Sequence, residues 1–472
     1  MSAAIGPARL IIAGVASGVG KTTISTGLMA ALAARGLRVQ GYKVGPDYID
    51  PTYHRAATGR PSYNLDTWLS SQAMVRQRFE ASARDADIAL IEGVMGLFDG
   101  RKGTLDSAST AEIARLLNAP VLLVIDVSHM GQSVAALVSG FQQLDPRVYV
   151  AGVLLNRVAS PDHEATLRYA IELRTGIPVF GVLRRGPRLT LPARHLGLVP
   201  APEATVEVQA LGSLIAQSID IDAIVRLASS AGPLPAGTAE TAIHDNGPLP
   251  SLETLHAVPP VRVGVALDIA FSFYYPETLE EFANLGVEVV PFSPLNDHSP
   301  PDNMDLFYFG GGFPELFAGQ LAENHPMLAG VRSAVQWGVP VYAECGGYMY
   351  LGKYCIDAAS NRHTMLGVLP YTFRMGTERA QLGYREIITA RETLIGPAGT
   401  RLRGHEFHWS QLVDPLLKEH VAYELEGQEN IYEGYADTTI LASYVHMPLA
   451  ANPHVMTRLL HNCLLHREAR NV

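Results

Sequence analysis

At 472 residues the chain is too long for one ordinary core and is expected to divide into two or three domains. It is 47% hydrophobic and 17% charged with mean hydropathy +0.11, the make-up of a soluble globular protein, and no apolar run reaches the roughly 18–20 residues of a bilayer span. Its 46 acidic against 36 basic side chains give a net charge of −10 with no basic run, so neither nucleic acid nor membrane is expected as a partner.

The opening stretch MSAAIGPARLIIAGVAS has no basic leader and runs straight into a strand and loop, so a secretory signal is not expected. Three widely spaced cysteines, Cys345, Cys355 and Cys463, argue against a disulfide framework and for a reducing, cytoplasmic setting.

In chain order, ARLIIAGVA (8–16) reads as an apolar strand ending in a glycine-rich turn, and TTISTGLMAALAARG (22–36) as a helix stopped by Gly36. LRVQGYKV, ADIALIEG, APVLLVIDV and RVYVAGVLLNRV follow as short continuous apolar runs, the pattern of strands buried on both faces of a mostly parallel sheet. From about 228 the periodicity fails, and the Pro-, Gly-, Ser- and Thr-rich stretch 229–260 reads as a linker. VRVGVALD, VEVVPF, DLFYFGG and VPVYAEC then resume strand-like spacing in a second α/β domain. The expected division is 1–228, a linker at 229–260, and 261–472.

GVASGVGKTT (14–23) lies between strand and helix, where successive backbone N–H groups and a helix N-terminus make an anion site. Gly18, Gly20, Lys21, Thr22 and Thr23 are the expected ATP-binding residues, with Lys21 reaching the β/γ-phosphates and the Thr22 hydroxyl on Mg²⁺. The usual first glycine is displaced: Val15 holds its place and Gly14 precedes it. The stretch resembles the phosphate loop of metabolic enzymes related to dethiobiotin synthetase, which have this departure. Asp47 and Asp50 in GYKVGPDYIDPTYH, Glu92 ending ADIALIE, and Asp99 in GLFDG are acids near strand ends, where ligands of parallel sheets bind. Thr22, Asp47 and Glu92 are the expected metal set; Asp50 and Asp99 also read as turn residues. Asn156, ending VLLNRV, reads either as a base-edge contact, by analogy with related phosphate-loop enzymes, or as a turn cap.

VYAECGGYMYLG (341–352) places Cys345 on a sharp strand-to-helix turn, the geometry of a nucleophile elbow with Cys in place of Ser. The helix end is expected to lower the thiol pKa. His446, in LASYVHMP at the end of another strand, is the expected base. Backbone N–H groups of Gly311, Gly312 and Gly346 are the expected oxyanion and glutamine-binding donors. Cys355 and Cys463 read as packing residues in helical stretches. GHEFHWS (404–410) fails the H-E-x-x-H zinc pattern because position 409 is Trp.

Together these features resemble class I, triad-type glutamine amidotransferases preceded by an ATP-dependent synthetase domain, over nearly the whole chain. More narrowly, GYKVGPDYIDPTYH, NLDTWL, IEGVMGLFDG, FGGGFPE, AECGGYMYLG, GHEFHWS and SYVHMP resemble the cobyrinate a,c-diamide synthase family. The resemblance implies a ligase that takes ammonia from glutamine through a Cys345 thioester and passes it along an enclosed path. It also implies ATP-dependent phosphorylation of the a and c acetate carboxylates of a corrinoid, with Asp47, Tyr48, Asp50 and Asp99 positioning the acceptor. Cobalt-free hydrogenobyrinate or a nickel tetrapyrrole are alternative substrates, and an ATP-driven switch with a non-catalytic second domain is the alternative of another class. The usual triad Glu two residues after the His is absent, Pro448 standing there, so the acid that orients His446 is unassigned. Oligomeric state is left open.

Overall fold

Seven apolar runs become the strands β1 (Arg9–Gly14), β2 (Val39–Val44), β3 (Tyr63–Leu65), β4 (Ile88–Glu92), β5 (Val121–Asp126), β6 (Val150–Val158) and β7 (Val179–Arg184). They pair in the order β3-β2-β4-β1-β5-β6-β7, every pair parallel. Side chains alternate across a strand, so a sheet covered on both faces needs apolar residues at consecutive positions. Along β1, Leu10 and Ile12 enter one core with Ile24 and Leu28 of helix α1 (Lys21–Ala34), while Ile11 and Ala13 enter a second core on the opposite face. All four are fully buried.

This is a computed structural model that describes residues 6–186, 193–194, 197–198, 205–235, 260–376, 381–427 and 430–470. The chain separates into two units, Met1–Thr241 and Ala242–Val472. The expected linker begins later than residue 229. The side chain of buried Arg9 donates to Leu117 O at 2.6 Å and to Gly232 O, and Asn118 Nδ2 donates to Pro233 O at 3.2 Å. Residues 230–235 therefore belong with the first unit; 236–259 lie outside the described residues.

The second unit has a nine-stranded sheet. Strands Glu288–Phe292, Arg262–Ala266, Leu306–Phe309, Val341–Glu344 and Ile440–Ser443 lie side by side and parallel. Tyr432–Ala436, Val421–Leu425, Gln381–Thr389 and Arg401–His408 extend it antiparallel. Cys355 falls on strand Tyr354–Ile356 rather than on a helix, whereas Cys463 does lie in helix Pro453–Arg470; both are buried. Among the described residues no helix is long and apolar enough to cross a membrane.

Candidate functional site

In the first unit, β2, β4 and β1 are neighbours, so the turns after them meet at one end of the sheet. The phosphate loop leaves β1 at Gly14. A Cβ there would lie 2.8 Å from Val19 Cγ2 and 3.0 Å from Lys21 Cδ, which is why glycine occupies this position and Val15 is tolerated next to it. Ala16, Ser17 and Gly18 are exposed, and Gly20 has φ +101° as it enters α1. Lys21 folds over the loop, donating to Ala16 O at 3.0 Å and Met95 O at 2.6 Å. Burial, then the neighbouring Lys43, lower its pKa to about 8. Asn156 clamps the loop from below: its Nδ2 donates to Val19 O at 2.8 Å and its Oδ1 accepts from Arg157 N.

Of the expected metal set, Thr22 and Glu92 meet, the hydroxyl donating to Glu92 Oε1 at 2.7 Å. Asp47 instead accepts from Ile49 N and Asp50 N at 2.8 and 2.9 Å, closing the turn that starts helix α2 (Asp50–Thr58). The second carboxylate at Thr22 is Asp50, 3.3 Å away. Asn64 holds the same turn from β3 by donating to Gly45 O and Asp47 O, and Tyr48 lies half-buried within it. Asp99 closes its own turn by accepting from Gly96 N at 2.8 Å, and its charge acts on Lys21. Among the described residues, no group of three His, Cys, Asp or Glu side chains is arranged to hold a metal.

Two residues at this centre escaped the sequence reading. Lys43, buried on β2, places its ammonium 2.5 Å from Asp50 Oδ2 and 2.9 Å from Glu92 Oε1. Buried His54 Nε2 lies 2.8 Å from Glu92 Oε2, its other nitrogen sharing a hydrogen bond with Ser62. Burial opposes charge on Lys43, Glu92 and Asp50. For Lys43 the attraction of Asp50 and Glu92 outweighs it, and for Glu92 that of Lys43 and His54 does, so both stay charged. For Asp50 burial and repulsion from Asp47 and Glu92 prevail, holding its carboxyl well above the usual range. The signal was available: a lysine inside a run that reads as a buried strand needs a carboxylate partner.

The second unit repeats the arrangement with different chemistry. Strands Leu306–Phe309, Val341–Glu344 and Ile440–Ser443 are adjacent and parallel, so the FGGG turn, Cys345 and the segment leading to His446 emerge together. Cys345 N donates to Ser443 O at 2.7 Å. Cys345 has φ +48° and ψ −103°, a strained conformation for a side chain with a Cβ, as an elbow requires. Gly312 N lies 3.1 Å from the Cβ position of Gly346, and a side chain on Gly311 would overlap His446 Cε1. The glycine turn thus touches both the elbow and the imidazole.

The thiol pKa moves opposite to expectation. Burial pushes it up, Glu315 adds to this, and the Gly346 N–H only partly opposes them. The helix that follows, Gly346–Leu351, is six residues long, too short to outweigh desolvation of a residue that is only 5% exposed.

GHEFHWS forms a wall beside His446 rather than a metal centre. His405 stacks on the His446 ring, with centroids 5.0 Å apart and planes at 19°, and the two backbones exchange hydrogen bonds. Glu406 is taken by Arg385 at 2.7 Å, and His408 stacks on Tyr444 at 3.8 Å. Glu344, missed in the sequence reading, stands fully buried beside His446 Nδ1 at 3.6 Å. Glu315, also missed, is buried in the FGGGFPE turn with its carboxyl pushed up to about 7 by burial.

Comparison with known proteins matches this division. Residues 10–199 fit the family described as the CobQ/CobB/MinD/ParA nucleotide binding domain, and residues 262–454 fit the CobB/CobQ-like glutamine amidotransferase domain. A cobyrinate a,c-diamide synthase of Dehalococcoides mccartyi (strain CBDB1) is 44% identical over 94% of this chain and 96% of its own length. That of Priestia megaterium is 41% identical over 98% of each chain. A hydrogenobyrinate a,c-diamide synthase of Streptomyces coelicolor is 44% identical over 96% of this chain and 97% of its own. With such identity across both units, the chain belongs to the cobyrinate a,c-diamide synthase family.

Proposed function

We propose that this chain is an ATP-consuming, glutamine-dependent ligase that converts the a and c acetate carboxylates of cobyrinate to amides, with hydrogenobyrinate as the alternative ring. The reading rests most on relatives named for these reactions, which align across both the phosphate-loop unit and the Cys345–His446 unit.

At the thiol turn, glutamine supplies an amide carbon. Cys345 Sγ attacks it as His446 takes the thiol proton, and the Gly311–Gly312 turn with Gly346 N–H faces the oxygen that gains charge. The C–N bond breaks, His446 returns the proton to the leaving nitrogen, and ammonia departs from a thioester. Water then attacks the thioester with His446 as base, releasing glutamate and the thiol.

In the first unit a substrate carboxylate oxygen attacks the γ-phosphorus of ATP and ADP leaves. Ammonia attacks the acyl phosphate carbon and phosphate leaves, a far better leaving group than oxide. Lys21 neutralises charge on the transferring phosphoryl group. Thr22, Glu92 and Asp50 would be the residues to hold Mg²⁺, an all-oxygen donor set of the kind that ion prefers. When bound there, Mg²⁺ would offset phosphate charge. The Asp47–Asp50 turn with Tyr48, and Asp99 beside Lys21, are the groups assigned to the acceptor carboxylate.

The test is amide formation on cobyrinate and on hydrogenobyrinate with ATP, using glutamine or an ammonium salt as nitrogen source. Cys345→Ala is expected to lose glutamine use and keep ammonia use. A folded Cys345→Ala protein that loses both, or keeps both, would contradict two separate chemistries.

A further inference from the structure

We infer that Glu344, the residue immediately before the nucleophile, is the positioning residue that holds the His446 imidazole. The inference rests on the Cys345–His446 reading above and supplies the acid that Pro448 cannot.

Glu344 ends an otherwise uncharged strand, Val341–Glu344, and is 1% exposed. A carboxylate so placed needs donors or a cation. Tyr342 OH donates to Oε1 at 2.6 Å, Met447 N donates to the same oxygen at 3.1 Å, and Tyr308 OH donates to Oε2 at 3.2 Å. These three donors fix the carboxylate plane. Oε2 then lies 3.6 Å from His446 Nδ1, an ion-pair distance slightly beyond a hydrogen bond. Met447, which grips Oε1, directly follows His446, so acid and imidazole are tied through one peptide bond on each side.

Glu406 is the competing acid, because it too lies within electrostatic reach of His446. Its Oε2, however, is engaged by Arg385, through Nε at 2.8 Å and Nη2 at 2.7 Å. Glu344 is the acid that faces a ring nitrogen. The ring cannot easily turn away, because Gly311 lies against Cε1 and His405 stacks on one face. With the Nδ1 proton directed to Glu344, Nε2 is the basic nitrogen that takes the thiol proton. In this role the carboxylate orients the imidazole and takes no proton from it.

The experiment compares Glu344→Gln with the parent protein, alone and in a His446→Ala background. Glutamine turnover in the single variant should fall in kcat by roughly 10²–10⁴-fold, the range for amidating a triad acid, with KM within about threefold. Ammonia-driven synthesis, which bypasses this thiol, checks that the protein is intact. In the His446→Ala background, Cys345 capture by a diazoketone analogue of glutamine, read by mass spectrometry, should differ less than about twofold with and without Glu344→Gln. A kcat loss under about fivefold, or an equal fractional loss in both backgrounds, overturns the inference.

Tyr342→Phe keeps the carboxylate but removes its shortest donor, and serves if Glu344→Gln does not fold. Its kcat should fall about tenfold with His446 present, and its capture rate should not change without it. No kcat change in Tyr342→Phe would count against the inference. If Cys345→Ala or His446→Ala retains glutamine use, the underlying reading fails; if both lose it while Glu344→Gln turns over normally, only this inference fails.

Discussion

Replacing Lys43 with Met is the sharpest physical test of the first unit. The ammonium lies 2.5 Å from Asp50 Oδ2 and 2.9 Å from Glu92 Oε1, with side-chain exposures of 5%, 9% and 0%. Methionine matches the stem but removes the charge, leaving Glu92 buried with His54 and Thr22 and without its ammonium partner. Breaking a buried pair by deleting one partner costs about 3–5 kcal/mol, much more than a surface pair, because a desolvated charge is stranded. In a unit of this size each kcal/mol moves the melting temperature by about 2–4 °C, so a fall of about 6–20 °C is expected. Differential scanning calorimetry reads it, with the second unit as an internal reference. A Lys43→Met protein melting within about 2 °C of the parent would show that the carboxylates do not depend on this ammonium, and the assignment of opposite charges to Lys43 and Glu92 would be wrong.

Other expectations follow from the same geometry. Lys21→Ala should lower amide formation by at least about 10²-fold with glutamine and with ammonium alike, since it acts on the phosphoryl step; loss with glutamine alone would refute this. Gly311→Ala puts a methyl group against His446 Cε1, and should cut glutamine use about 100-fold while ammonia use persists, measured by amide formed with each nitrogen source. Burial lowers the His408 pKa from 6.5 to about 4, so the fold favours neutral imidazole. The associated stability, about 3 kcal/mol, is present above pH 6.5 and is lost as pH falls toward 4. His408→Phe, which keeps a ring against Tyr444, should reduce the loss between pH 7 and 4 by that amount in denaturant titrations; an unchanged acid limb would refute it.

What the sequence revealed depended on how a residue's role is written locally. The parallel strands were legible because double-sided burial leaves an unbroken apolar run, as in VLLVID of β5. Gln381–Thr389 was not, since most of its residues stay partly exposed and polar side chains mask the strand period. Cys345 and His446 stood out by residue type beside glycine or at a strand end. Glu344 did not, because a triad acid is defined by what it faces, and the pairing of Glu344 with Ser443 that brings it to His446 is not local. Asp47 and Asp50 show the same limit: three residues apart in sequence, they differ in the structure because Asp47 caps the turn that presents Asp50. The thiol was misjudged because a nearby helix end is visible in sequence, whereas depth below the surface is not.

That depth has a consequence for the protein's chemistry at rest. All three thiols are buried, and burial pushes each toward its protonated form. Peroxide and generic alkylating agents react with exposed thiolate, so they meet little of it in this protein. In the proposed mechanism the thiol stays protonated until His446 takes its proton during attack, so burial shields the sulfur from irreversible damage between turnovers.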